Sequence, residues 1–421
     1  MKPLLLAAVF VTVAGTAFAQ QAKIQNLRPY DKAGINVFET PKTDTIPFDD
    51  VKVRIGAGFT QQFQALKHSN NSTGTTPLYN LRSGFNLATA NLNIDAQLAK
   101  GIRLNLISYL SARHHQETWV KGGFAQIDAS PINSPVLDEV FKYVTVKIGH
   151  YEVNYGDAHF RRTDNGHSLY NPFIGNYILD GFTTEIGAEI DFQKDGFLAV
   201  AAIHNGEIKG EISDAPTRNP SFIGKLGYDK QLNNDLRVRL TGSVYHNNGA
   251  ASNTLYTGDR GGSRYYMVLE PKAAGVTAIT NAWSGNVRPG FSRQVTAFMI
   301  NPFIKYQGLE LFGTYEVAKG KAITETVKRD VSQMAVEAVY RFCKNEDLFV
   351  GLRYNTVTAA LPGIANDVKV NRVQASAGWF VTKNMVLKAE YVNQKYNDYP
   401  AANLLSEGKF KGMMFEASVG F

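Results

Sequence analysis

The sequence is poor in cysteine, with Cys343 alone among 421 residues. No disulfide can form within the chain, and no cysteine lies near the N-terminus to carry a lipid. Beyond the first 20 residues no apolar run reaches 18, which excludes a helical membrane protein. The patterns H-E-x-x-H, G-x-S-x-G and the P-loop are absent, so no metal and no cofactor is expected. The eight histidines are scattered. His114 and His115 are neighbours, and on a strand they would point to opposite faces and make poor joint ligands. Neither sign of charge dominates: 44 Lys and Arg against 37 Asp and Glu leave +7. That balance is too modest for this length to demand a nucleic-acid partner.

What is abundant suits β structure. There are 37 glycines, 25 phenylalanines and 20 tyrosines, the composition of tight turns and aromatic girdles. A hydrophobic content of 44% would pass for a soluble protein. It is also what a membrane barrel gives, because only alternate residues face lipid. Residues 1–19 read as a secretory signal peptide: Lys2, an apolar stretch from Leu4, then Ala17-Phe18-Ala19 before Gln20. Residues 20–50 hold three prolines among many polar residues and read as an irregular segment, periplasmic or lumenal. Residues 51–421 read as one barrel domain.

From Val51 onward the chain alternates at period two. Sixteen strands are expected, from 51–64 to 410–421, many of them ten or more residues long. Tilted strands of about nine to eleven residues cross a bilayer. Short turns such as "QKDG" (Gln193 to Gly196) and "TKN" (Thr382 to Asn384) mostly alternate with long links. A barrel with short periplasmic turns and long outer loops requires that alternation. "SPINSPVLD" (Ser130 to Asp138) breaks it, being a long link at a turn position, before a strand expected at 140–150. "SRYYMVLE" (Ser263 to Glu270) could be a hairpin arm, which would make eighteen strands. The fold class is therefore all-β, a transmembrane antiparallel β-barrel of about 16 strands.

Period two also assigns faces. In the last strand Met413, Phe415, Ala417, Val419 and Phe421 should face lipid, and Met414, Glu416 and Ser418 the lumen. The same reading turns Lys52, Arg54, Arg103, Arg237, Arg239, Arg341 and Arg353 inward, with Glu185, Glu189 and Glu337 against them. A sixteen-stranded barrel is wide enough for an aqueous channel, so these are expected pore-wall residues. The third outer loop, 151–181, is long, aromatic and charged. Folded inward it would form a constriction, with Asp157, His159, Arg161, Arg162, Asp164 and His167 as its candidate residues.

The run "VKIGHYEVNYG" (Val146 to Gly156) leading into that loop, the signal and the terminal aromatic together resemble bacterial outer-membrane porins related to the phosphate- and polyphosphate-selective family. The resemblance implies a sixteen-stranded barrel in the bacterial outer membrane, assembled as a homotrimer, with outer-membrane lipid around it. It also implies passage of small hydrophilic solutes or anions. In that family selectivity depends on a lysine cluster in the constriction. The third loop here contains no lysine, so porin architecture is carried further than phosphate selectivity. Paired guanidinium groups at Arg161 and Arg162, with Arg54, Arg103, Arg237 and Arg239, would favour anions weakly. The reading is a passive diffusion channel and not an enzyme. Two alternatives remain open. One is a plugged barrel serving as scaffold or receptor, with 20–50 and 247–293 as the candidate plug. The other is a rim hydrolase built on Asp157, His159, Asp164 and His167.

Overall fold

A computed structural model describes residues 22–42, 46–113, 117–209, 212 and 218–421. The signal region and His114-His115 lie outside the described residues. The wall runs β1 (Lys52–Ser69), β2 (Gly84–Phe85), β3 (Thr89–Ala99), β4 (Ile102–Ser111), β5 (Trp119–Ile127), β6 (Val144–Glu152), β7 (Thr184–Lys194) and β8 (Phe197–His204). It continues through β9 (Ser221–Gln231), β10 (Leu236–Asn247), β11 (Gln294–Tyr306), β12 (Leu309–Lys321), β13 (Arg329–Phe342), β14 (Leu348–Ala359), β15 (Val368–Thr382), β16 (Met385–Asn397) and β17 (Lys409–Gly420). All pairings are antiparallel between sequence neighbours, and β17 closes on β1 from Gly58↔Gly420 to Ser69↔Lys409. The two-residue β2 lies against β1 at Phe63↔Phe85, ahead of β3. The remaining sixteen strands form the closed barrel. Phe421 is tied into the seam, its N–H donating to Ala57 O at 3.1 Å and its carbonyl accepting from Ala57 N at 2.9 Å. Closure matters because an open edge in lipid would leave backbone groups unpaired.

The alternation is carried by the residues as expected. Leu240 is 55% exposed and its neighbour Thr241 1%, and Phe415 is 45% exposed against 3% for Glu416. Tyr306, Tyr340, Phe342, Trp379 and Phe421, all exposed, ring the short-turn end, where amphipathic rings suit the membrane interface. Two expectations are corrected in detail. "SPINSPVLD" leads into a short helix, α1 (Pro135–Val140), because Ser134 caps it (Oγ accepts from Leu137 N) and Pro135 opens its first turn. That helix delays the strand expected at 140 to Val144. "SRYYMVLE" is not a wall hairpin: Arg264, Met267 and Leu269 have φ of 82°, 60° and 57°, which no extended strand tolerates. Only an isolated pair, Tyr265↔Ser284, remains there.

The lumen is where the structure departs most from an aqueous tube. The third loop (L3) and much of the fifth (L5, residues 248–293) pack inside the barrel, while 272–280 of L5 are largely exposed. Tyr155, Ile174, Ile178 and Leu179 of L3 pack with Leu255, Tyr256, Val268 and Phe291 of L5, against Tyr245, Met299, Phe410 and Met414 of the inner wall. Lower down, Phe38 of the N-terminal segment joins Tyr177, Phe303 and Phe312. Phe38 thus ties the middle of the segment preceding the barrel to the inner wall.

Candidate functional site

L3 leaves β6 and is drawn at once to the far wall. Gly156 takes φ 67°, and an added Cβ would sit 2.2 Å from Met299 Sδ, so only glycine permits this approach. Its N–H donates to Ser243 Oγ at 2.9 Å and Asp157 N–H to Asn301 Oδ1 at 3.0 Å. The Asp157 carboxylate then accepts from Arg239 Nε (2.8 Å) and Nη2 (2.9 Å), Thr241 Oγ1 (2.8 Å) and Lys225 Nζ (3.0 Å). Glu39 of the N-terminal segment completes the cluster, 3.1 Å from Lys225 Nζ and 2.8 Å from Arg239 Nη1. Burial alone would raise both carboxyls. Arg239 and Lys225 together outweigh it, holding Asp157 down at about 2 and Glu39 well below the usual range.

The rest of L3 is fastened by wall side chains that satisfy its backbone. Glu390 accepts from Ile174 N at 2.7 Å, Asn355 from Ile178 N at 2.7 Å and Gln333 from Leu179 N at 3.0 Å. Lys388 Nζ donates to Ser168 O and Asn171 O. These donors and acceptors all lie on β13–β16. A buried loop must place its backbone groups somewhere, and the inward polar residues of the long strands receive them.

The expected constriction residues therefore meet partners rather than one open ring. Arg161 binds Glu337 at 2.8 Å and stacks 4.3 Å over Phe312. Arg162 binds Asp180 at 2.7 Å and lies 4.4 Å over Phe182. Asp164 is held by L5, accepting from Arg260 Nε at 2.8 Å and Arg260 N at 2.7 Å. His159 lies 3.7 Å from Glu152 and 3.2 Å from Asn154 Oδ1, and His167 packs on Tyr170. Burial pushes both imidazoles below their ordinary pKa, so they are neutral near pH 7. Asp157 and His159 are held by different partners and do not form an acid–base pair.

The expected wall charges are likewise partnered. Lys52 meets Asp49, Arg54 Asp95, Arg103 Asp128, Arg237 Asp229, and Arg341 Glu310. Glu337 takes Arg353 at 2.8 Å besides Arg161. Glu189 binds Lys147 at 2.7 Å, and Glu185 accepts from Ser221, Tyr245 and Gly206 N. Their inward direction was legible from period two, and their partners were not.

Space remains beside L3 on the β3–β7 side. Between the start of L3, residues 27–40 and the inner face of β3–β7 lies a cavity of about 180 Å³. Arg28, Lys121 and Lys147 line it together with Glu39, Asp95, Glu152 and Glu189, and with Tyr30, Phe124 and Phe160; Lys121 pairs with Glu152 and Lys147 with Glu189. A second space of about 670 Å³ opens at the short-turn mouth beside Asn36–Lys42. Sequence reasoning missed Arg28, Lys121, Lys147, Glu152 and Lys225. Lys121 and Lys147 sit on β5 and β6, whose alternation is interrupted near Gly122 and Gly149, where φ is 150° for Gly149.

No family model matches the chain, and no curated protein matches it. Solved structures do. An anion-selective porin from Comamonas acidovorans is 12% identical with a TM-score of 0.54, covering 88% of this chain and 100% of that one. Salmonella typhi OmpF in complex with daunomycin is 12% identical at 0.52, covering 88% and 98%. A trimer form of OmpT, an outer membrane protein of Vibrio cholerae, is 11% identical at 0.51, covering 89% and 100%. At such identity the likeness is one of fold. The chain has the sixteen-stranded barrel fold of bacterial outer-membrane porins, with the apolar outer belt that such a membrane requires.

Proposed function

We propose that the chain is a passive diffusion channel for small hydrophilic solutes in the bacterial outer membrane, not an enzyme, and that it works as a homotrimer. The observation that carries the reading is the crevice between L3 and β3–β7, a charge-lined space inside a closed barrel. Charged side chains lining such a passage set selectivity. A weak anion preference rests on Arg54, Arg103, Arg161, Arg162, Arg237 and Arg239. Each is matched by a carboxylate, so the preference should be small and leave phosphate selectivity out. Planar bilayers under a KCl gradient test this: step-like currents with a reversal potential near zero, slightly toward chloride, are expected. Clear cation selectivity would overturn the anion reading.

The plugged barrel is the second reading. It is favoured by the N-terminal segment, tied by Glu39 to the inner wall and by Lys32 to Asp347 at the short-turn mouth. A silent full chain that conducts once residues 20–50 are deleted would replace the channel by this alternative.

A further inference from the structure

Pro302 lies inside β11 on its outward face, the only proline in any wall strand among the described residues. Proline has no N–H to give to a ladder, and a closed barrel has no edge on which that loss is harmless. The pairing records the defect. β11 and β12 are in register at Ile300↔Tyr315 and again at Phe303↔Phe312, and between these points Asn301 and Pro302 pass Thr314 and Gly313 without a bridge. Gly313 is fitted to the proline: a Cβ there would lie 2.8 Å from Pro302 Cγ. The Gly313 carbonyl is left without its ladder donor.

A carbonyl unpaired in the apolar belt is costly, and the neighbouring side chain supplies what the backbone cannot. Asn301 is buried on the lumen side. Its Nδ2 donates to Gly313 O and to Thr314 Oγ1, both at 3.0 Å. Those two bonds use both amide hydrogens and fix the plane of the carboxamide. Its Oδ1 is then held toward L3, where it accepts from Asp157 N–H at 3.0 Å. Only this orientation serves both ends, because Gly313 O requires a donor and Asp157 N–H an acceptor. Asp157 sits between Asn154 and His159, which both line the cavity, so its place in the lumen decides how closely L3 approaches that space.

We infer that Asn301 is the positioning residue for the first turn of L3, and that the Pro302–Gly313 pair is what orients it. An ordinary residue at 302 would donate to Gly313 itself and leave the Asn301 carboxamide free to turn. The inference does not rest on the channel reading, because it is tested on the loop itself without any current.

The test separates the two ends of the carboxamide, using the full chain in detergent micelles. Asn301→Ala should lower the denaturation midpoint, since Gly313 O then has no donor. Adding Pro302→Ala restores a ladder N–H, so the double variant should recover most of the native midpoint. Exchange of the Asp157 amide hydrogen, followed by NMR on chain isotope-labelled at aspartate, should be roughly tenfold faster than native in both, the scale of one buried hydrogen bond. Pro302→Ala alone should hold the midpoint and still speed that exchange. A merely structural Asn301 would regain native exchange together with stability. Native exchange in the double variant therefore overturns the positioning role, and that variant decides the matter if Asn301→Ala alone does not fold. A midpoint that stays low in the double variant, or native exchange in Pro302→Ala, overturns the part given to Pro302.

Discussion

The two sides of the barrel are built to different specifications. From β10 to β17 the strands run 12 to 15 residues, and their inward polar side chains receive the backbone of L3. From β3 to β8 they run 8 to 11 residues, and the cavity lies against this side. The difference teaches that the lumen is not narrowed evenly. One wall, β13–β16, holds L3 from Ser168 to Leu179, while on the other Asn91 and Lys121 hold its backbone at Asp164 and Thr163 beside the cavity.

The contrast should break most completely at Asp157. Asp157→Ala leaves Arg239 and Lys225 with Glu39 as their remaining close acid besides Asp229. Removing one partner of a buried charge cluster costs about 3–5 kcal/mol. Lower stability to denaturant in micelles, together with larger and noisier single-channel currents, is the expected result. Unchanged currents would mean that L3 holds its place without the clamp.

Filling the cavity is the next largest effect. Asn93 faces the cavity, and Asn93→Trp should cut conductance severalfold while leaving the barrel folded by gel mobility. If current is unaffected, solutes pass elsewhere.

Acid should loosen the hold on L3. Asp157 titrates lower when folded, at about 2, than an ordinary carboxyl near 4. Its contribution is present above pH 4 and is lost as pH falls through 2. Asp259 in L5 behaves oppositely, raised well above the ordinary value by burial and then by Asp164. Its protonated form is the one the fold favours, so L5 packing is tightest at acid pH and weakens as pH rises through that raised value. Hydrogen exchange of L5 amides, corrected for intrinsic rates, should show this slope in the native chain and lose it in Asp259→Asn.

The smallest effect is on selectivity. Lys121 and Glu152 face each other across 3.0 Å at the cavity. Glu152→Gln should move the reversal potential modestly toward chloride, and Lys121→Gln toward potassium. Exchanging Lys319 on the outer face should move it not at all.

Much of the wall was readable from local alternation. Thr241 inside and Leu240 outside follow from period two alone, and so does Phe421 beside the seam. The inward arginines were readable for the same reason. What they bind was not, because Arg239 meets Asp157 across 82 positions and Glu39 across 200. L3 announced its burial through Tyr155, Tyr177 and Ile178, aromatic and apolar residues a solvated loop does not need. The contact of the N-terminal segment with the inner wall gave a weaker signal in Tyr30 and Phe38, set among prolines and charges that suit a linker equally well.

The sequence by itself determined the strands, their faces and the closed barrel, because side-chain direction in a strand depends on the residue and its immediate neighbours. Only the tertiary structure decided where space remains beside L3. That choice depends on charges, turns and buried backbone groups far apart in the chain, each of which finds its partner only when the barrel brings them together.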